Sequence, residues 1–165
     1  MGVSSVPSSD GNSLGIYDTG SSAEYAAVLD PILDRMPNGS DKEKAEYMVQ
    51  QICDRFSYSS DFFNWIDGKT SGRCEAYAGA VMAIFSRAGI PVIRETETNK
   101  MNHSWNLAYL DGEWYVVDAT HSDTGGRPAY RTPNEYMETS WPTVGGYPWR
   151  DSTKVAMALI EDAFG

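Results

Sequence analysis

Cysteine and histidine are scarce in this 165-residue chain, which contains only two of each. A closed structural zinc site needs four such ligands, and no Cys-x-x-Cys pair is present, so we expect no structural metal and no metal cofactor. Cys53 falls within a predicted helix, where a small buried apolar side chain is the favoured interpretation. A Cys53–Cys74 disulfide remains open as the less favoured alternative.

Long apolar runs and clustered basic residues are also lacking. No segment approaches the ~20 apolar residues that a membrane-spanning helix requires, so we expect no membrane insertion. Thirteen Lys and Arg residues against 23 Asp and Glu give a net charge of -10. Because nucleic acids and anionic membrane surfaces would repel such a chain, we exclude both as partners.

The length fits one domain with a single core. Residues 1–21 are rich in Ser and Gly and read as a flexible leader, which leaves 22–165 as the domain. The leader lacks the basic start and apolar core of a secretory signal. A mature or excised domain at the cell surface or outside the cell would look the same as a cytoplasmic protein, so localisation and oligomeric state stay open.

The first half of the chain predicts helices. Apolar spacing predicts one over 23–36, and a capping box of Ser40 and Glu43 opens a second that runs to about Arg55. Residues 59–71 form an aromatic-rich connection that contains Trp65. Beyond Thr120 the signals weaken into loops, with a short helical turn in 132–139 and a final helix from about Asp151.

Cys74 stands at or near the first turn of the predicted central helix. Tyr77, Ala80, Val81 and Ile84 recur at helical spacing after it, and Gly89 ends the run. Free amides and the positive end of the helix dipole favour a thiolate at such a position. Taken alone, a buried structural cysteine is the simpler interpretation. As a helix-start cysteine, it is a candidate nucleophile.

A hairpin supplies a candidate base. Strands predicted over 103–110 and 113–118 flank Asp111-Gly112, a two-residue turn that pairs Leu110 with Glu113. This register puts one set of side chains on a single sheet face, with His103 and Asp118 as diagonal neighbours. The set comprises His103, Trp105, Asp118 and Thr120. His121 would fall on the opposite face, which makes it the weaker candidate base.

A thiol, an imidazole and a carboxylate are the groups that thiol acyl transfer requires. The cysteine attacks a carbonyl carbon, the histidine moves the proton, and the aspartate orients the histidine. The Cys74 backbone N–H is expected to supply one oxyanion donor. Each residue alone also has a structural interpretation: His103 as a strand-start residue, Asp118 as a turn cap, and Trp105 as a core aromatic or the border of a cleft.

Three ordered segments resemble the transglutaminase-like core domain. They read GRCEAYA at 72–78, HSWN at 103–106 and WYVVDAT at 114–120, and AGIP at 88–91 also looks like the family. The resemblance covers about residues 40–125. Ala119 departs from the proline that members often carry, and residues after 125 match nothing we can place.

The resemblance implies an α+β, papain-like fold with N-terminal helices packed on an antiparallel sheet and the nucleophile at the start of the central helix. It implies a triad of Cys74, His103 and Asp118. The resemblance does not identify the second oxyanion donor, for which Tyr58 and Trp65 are the candidates in this sequence. The favoured function is a cysteine peptidase or amidase that acts on a peptide or protein substrate through a thioester. The alternatives are a transglutaminase that uses an amine acceptor, and a non-catalytic module that binds a peptide or glycan.

Overall fold

A computed structural model describes residues 23–59, 71–97, 103–124, 130–131 and 151–165. The predicted leader, Trp65 and the helical turn predicted in 132–139 lie outside these ranges. The division into a leader and one domain therefore stays a prediction.

Two helices open the described chain, α1 (Ala23–Leu33) and α2 (Asp41–Arg55). The capping box predicted for α2 is confirmed, because the Glu43 N–H donates to Ser40 Oγ at 3.2 Å and Glu43 Oε2 accepts from the Ser40 N–H at 2.9 Å. Helix α1 is shorter than predicted. Beyond its end, the amides of Arg35 and Met36 bond three residues back rather than four, which tightens the chain into a turn before Pro37.

Short strands precede the central helix. β1 (Ser57–Tyr58) pairs in parallel with β2 (Ser71–Gly72), which leads directly into α3 (Cys74–Arg87). Most of α3 is buried, including the predicted stripe from Tyr77 to Ile84. The helix ends where Gly89 takes a φ of 79°, a conformation that glycine adopts without steric cost.

The main sheet is antiparallel throughout. Its strands are β3 (Val92–Glu97), β4 (His103–Leu110), β5 (Glu113–Val117) and β6 (Tyr130–Arg131), in that spatial order. The predicted hairpin register is confirmed from Leu110–Glu113 to Asn106–Val117. The turn residues Asp111 and Gly112 take φ values of 52° and 81°, as a type I′ turn requires.

Helices cover both faces of this sheet. One face joins α1, α2 and α3 in the main core through Val92, Ala108, Leu110, Tyr115 and Val117. The other face meets α5 (Asp151–Phe164), where Glu161 accepts a hydrogen bond from the Trp114 indole at 2.8 Å. The α+β architecture and the central helix with Cys74 at its start are therefore confirmed. No described helix has the length and apolarity needed to cross a membrane.

The chain after β5 corrects one prediction. The ladder ends at Val117, and Ala119–Thr124 forms the short helix α4 instead of continuing the strand or entering a loop. Thr120 is therefore helical, and its predicted place on the sheet face that carries His103 is wrong. The opposite-face assignment of His121 loses its basis for the same reason. Asp118 lies between strand and helix, where its carbonyl accepts the Ser122 N–H at 3.0 Å and begins α4.

Candidate active site

Cys74 is the first residue of α3 and is 8% exposed. The hydrogen bond from the Ser59 N–H to the Gly72 carbonyl, 2.8 Å long, fixes the approach to the helix. The N-cap residue Arg73 makes no side-chain cap. The first amides of an α-helix have no intrahelical acceptor, so the positive end of α3 faces the sulfur and stabilises negative charge there.

His103 and Asp118 lie in direct contact. His103 Nε2 and Asp118 Oδ2 are 2.7 Å apart, and both residues are buried, at 7% and 5% exposed. Burial by itself lowers the pKa of His103. The hydrogen bonds to Asp118 and Cys74 and their charges outweigh it and raise the pKa to about 9. The imidazole is therefore protonated at neutral pH, as its carboxylate partner favours.

The His103 side chain also contacts Cys74. Burial raises the pKa of the Cys74 thiol. The hydrogen bond and positive charge of His103, together with the Ser104 backbone N–H, lower this pKa by more than burial raises it, so the net pKa lies below that of an ordinary thiol. Because Nε2 is engaged with Asp118, Nδ1 is left for the sulfur. The site therefore favours a thiolate–imidazolium pair.

The charges that flank Cys74 largely neutralise each other. Arg73 and Glu75 form an ion pair with 3.2 Å between Nη2 and Oε2. The Glu75 charge raises the pKa of Cys74, but it is the weakest of the resolved influences. His103, rather than Arg73, therefore supplies the positive charge that the thiolate meets.

The residues predicted to line the cleft or hold the oxyanion differ in how far they are buried. The Trp105 ring stacks on His103, with ring centroids 5.7 Å apart and planes 17° from parallel, and the residue is 1% exposed. Tyr58 is 54% exposed, on the strand paired with the segment that leads to Cys74. Trp65 lies outside the described residues. Oxyanion roles for Tyr58 and Trp65 stay predictions.

The sulfur of Cys53 does not join this site. Both cysteines are free thiols, so the alternative of a Cys53–Cys74 disulfide is wrong in this structure. Cys53 is half-buried, and burial together with the charges of Asp123 and Asp54 raises the pKa of its thiol to about 11. Within the described ranges, no group of three or more His, Cys, Asp or Glu side chains is placed to hold a metal ion.

The sequence did not predict two further contacts near Cys74. The Ser104 backbone N–H acts on the Cys74 sulfur, and a hydrogen bond of 2.5 Å joins the Tyr77 hydroxyl to Asp123 Oδ2. Both depend on how α3 lies against β4 and α4. No residue pattern signals either contact, although Tyr77 belongs to the GRCEAYA segment. Together the site holds a thiol, a protonated imidazole and a carboxylate in one buried chain of contacts.

The chain resembles known proteins at the level of family and fold. A family model described as the transglutaminase-like superfamily matches residues 32–119, which is just over half of the chain. No curated protein matches the chain.

Two solved structures resemble the fold at low identity. One is a protein of Cytophaga hutchinsonii named as a candidate cysteine protease, with 17% identity, a TM-score of 0.47, and coverage of 63% of this chain and 40% of that one. The other is named as a TGase, with 16% identity, a TM-score of 0.47, and coverage of 73% of this chain and 38% of that one. The chain spans about two fifths of the length of either protein.

Proposed function

The chain belongs to the transglutaminase-like superfamily, and from that premise we propose that it is a thiol-dependent hydrolase, a cysteine peptidase or amidase, that uses Cys74, His103 and Asp118. The observation that supports this most directly is the unbroken chain of contacts from the Cys74 thiol through His103 to Asp118 Oδ2. We propose that the substrate is a peptide bond or a side-chain amide of a protein.

The first half of the proposed reaction forms an acyl-enzyme. The Cys74 thiolate attacks the amide carbonyl carbon, and a carbon–sulfur bond forms as the carbonyl π electrons move to oxygen. The tetrahedral intermediate collapses, and the carbon–nitrogen bond breaks while the His103 imidazolium donates its proton to the leaving nitrogen. An amine or ammonia leaves, and the acyl group remains on Cys74 as a thioester.

The second half returns the enzyme to its starting state. Neutral His103 removes a proton from water, and the resulting hydroxide attacks the thioester carbonyl. Breaking of the carbon–sulfur bond releases a carboxylic acid and restores the thiolate–imidazolium pair. Asp118 holds the imidazole by its Nε2 through both halves, so that Nδ1 faces the reacting atoms.

The developing oxyanion needs donors in both halves. The Cys74 backbone N–H, at the N-terminus of α3, is the proposed first donor. Tyr58 and Trp65 are the proposed sources of the second. Removing one such donor in enzymes of this chemistry reduces kcat by about 10²–10³-fold.

Water and a primary amine compete for the same thioester. Hydrolysis is the favoured outcome because water needs no dedicated acceptor site, whereas an amine acceptor must be bound and oriented. A binding module without activity would need neither a thiolate nor a protonated partner histidine, and the pKa shifts of both groups favour an enzyme.

Acyl-enzyme trapping tests this proposal. The protein is incubated with a mixture of N-blocked peptides that include glutamine amides, quenched in acid, and analysed by intact and peptide mass spectrometry. We expect an acyl adduct on Cys74 in the wild type, none in Cys74→Ser, and an unchanged adduct in Cys53→Ser. Free acid products in the presence of an added primary amine support hydrolysis.

Two results would change the conclusion. A predominance of amide products with the added amine would identify a transglutaminase on the same triad. Absence of an adduct, together with an ordinary Cys74 thiol that is indifferent to His103→Ala, would argue for the binding module.

A further inference from the structure

A partly buried hydrogen bond lies beside the proposed triad without belonging to it. Tyr77 follows Cys74 by one turn of α3 and is 1% exposed. Its hydroxyl donates to Asp123 Oδ2 at 2.5 Å, across 46 residues of sequence. This bond therefore joins the helix that begins with Cys74 to α4, the helix that begins directly after Asp118.

Asp118 is rigidly tied to α4. Its carbonyl accepts both the Ser122 N–H at 3.0 Å and the Ser122 hydroxyl at 3.1 Å, so the first turn of α4 fixes the Asp118 backbone. A helix of six residues makes few internal hydrogen bonds and depends on its neighbours for its orientation. A rotation of α4 would carry the Asp118 carboxylate away from His103 Nε2.

We propose that the Tyr77–Asp123 hydrogen bond is a positioning contact that sets the Asp118 carboxylate, and through it the His103 imidazole, against the Cys74 sulfur. The inference rests on the proposed function. Tyr77 and Asp123 touch neither substrate nor sulfur in this scheme. They act by fixing the distance between the starts of α3 and α4.

The electrostatic surroundings keep this bond in one direction. Burial and the Asp123 carboxylate raise the pKa of Tyr77 above its usual value, with smaller contributions from Cys53 and Tyr58. The phenol therefore stays protonated and donates throughout the pH range in which the triad titrates. The Glu75 charge and the Ser104 backbone N–H, as well as His103, act on the pKa of Cys74.

A matched tyrosine separates positioning from general stability. The Tyr47 hydroxyl donates to the Ile32 carbonyl at 2.8 Å, also partly buried, but it joins α2 to the C-terminal turn of α1. Tyr47→Phe removes the same hydroxyl from a comparable hydrogen bond away from the triad. Both Tyr→Phe changes should lower thermal stability to a similar degree.

The test measures the iodoacetamide alkylation rate of Cys74 against pH in the wild type, Tyr77→Phe, Tyr47→Phe, Asp123→Ala and Asp123→Asn. We expect the midpoint for Cys74 to rise by about half a pH unit or more in Tyr77→Phe and Asp123→Ala, which is about threefold less thiolate below the midpoint. Tyr47→Phe should leave the midpoint unchanged. Asp123→Asn keeps an acceptor oxygen and should restore most of the wild-type profile.

The outcomes distinguish this inference from the proposed function. A wild type with an early midpoint that Tyr77→Phe and Asp123→Ala leave unmoved overturns the positioning role and leaves the triad intact. Equal shifts in Tyr77→Phe and Tyr47→Phe also overturn it, because they would reflect lost stability alone. A wild type with an ordinary thiol profile would instead overturn the proposed function.

Discussion

The two cysteines allow the proposed ion pair to be tested within a single molecule. His103 lowers the pKa of Cys74, whereas burial and nearby carboxylates raise that of Cys53 to about 11. The perturbation is His103→Ala, and the readout is the ratio of the Cys74 and Cys53 alkylation rates at neutral pH. Cys53 is the internal reference, since His103 is not among the groups that shift its pKa.

The expected ratio can be worked out from an ordinary thiol as the reference. At neutral pH an ordinary thiol is about 3% ionised, and one with the pKa of Cys53 is about 0.01% ionised, a difference of about 300-fold. A thiolate of higher pKa is intrinsically more nucleophilic, by about 15-fold over this interval. A thiol of ordinary pKa should therefore react about 20-fold faster than Cys53 for equal access. The lowered pKa of Cys74 increases this advantage as far as the ambient pH, where the rate of a thiol is greatest.

In His103→Ala this ratio should collapse toward one. The strongest influences that lower the pKa of Cys74 are gone, while burial and Glu75 still raise it. Timed iodoacetamide labelling, tryptic digestion and mass spectrometry give both rates from one sample. His121→Ala is the matched control and should leave the ratio unchanged, and circular dichroism checks that each variant is folded.

Two results would refute this reasoning. Cys53 reacting as fast as Cys74 in the wild type would show that the thiol at the helix start is not activated. A ratio that stays high in His103→Ala would show that the helix N-terminus, rather than the histidine, activates it. Cys74 is the less exposed thiol, so solvent access works against the predicted order and cannot produce it.

Three further predictions concern stability, measured by urea denaturation. Folding raises the pKa of His103 from about 6.5 to about 9. The stabilisation of the wild type relative to His103→Gln should therefore be greatest below about pH 6.5 and should fade as the pH rises to about 9. A stability difference that grows over that interval would contradict this prediction. Gly89→Ala should lower the free energy of unfolding by about 1 kcal/mol, because the φ of Gly89 is 79°. Gly79→Ala should raise it by about 0.5–1 kcal/mol, because this helical site has open space around the added Cβ. Equal effects of the two substitutions would refute the backbone explanation. Ser40→Ala should lower the free energy of unfolding by about 1 kcal/mol, because the N-cap of α2 is lost. Asp111→Ala should lower it at least as much, because the Asp111 carboxylate accepts hydrogen bonds from two α2 amides and its φ is positive. A smaller loss in Asp111→Ala would contradict this order.

Local signals determined several parts of the structure. The Ser40–Glu43 box specified the start of α2, because the side chain and the amides that it satisfies lie within one turn. Asp111-Gly112 specified the hairpin register, because a two-residue turn admits one pairing. Once the register is known, the alternation of side chains along each strand is enough to place His103 and Asp118 on the same face of the sheet.

Other features depended on contacts between distant segments. The chain leaves the sheet at Asp118 because α4 packs against α2 and α3, a preference that no spacing in residues 118–124 expresses. The capping of α2 by the Asp111 carboxylate spans 70 residues. Neither contact has a local pattern, since each is a consequence of how the helices lie on the sheet.

The sequence by itself therefore determined which residues carry the proposed chemistry, the family, and the faces on which the residues of the hairpin lie. Only the tertiary structure decided that the first turn of α3 meets the start of β4, which brings the Cys74 thiol to His103. It also decided the direction of the Cys74 pKa shift. Burial and Glu75 raise this pKa, His103 and the Ser104 backbone N–H lower it, and only their distances in the folded chain determine which influence prevails.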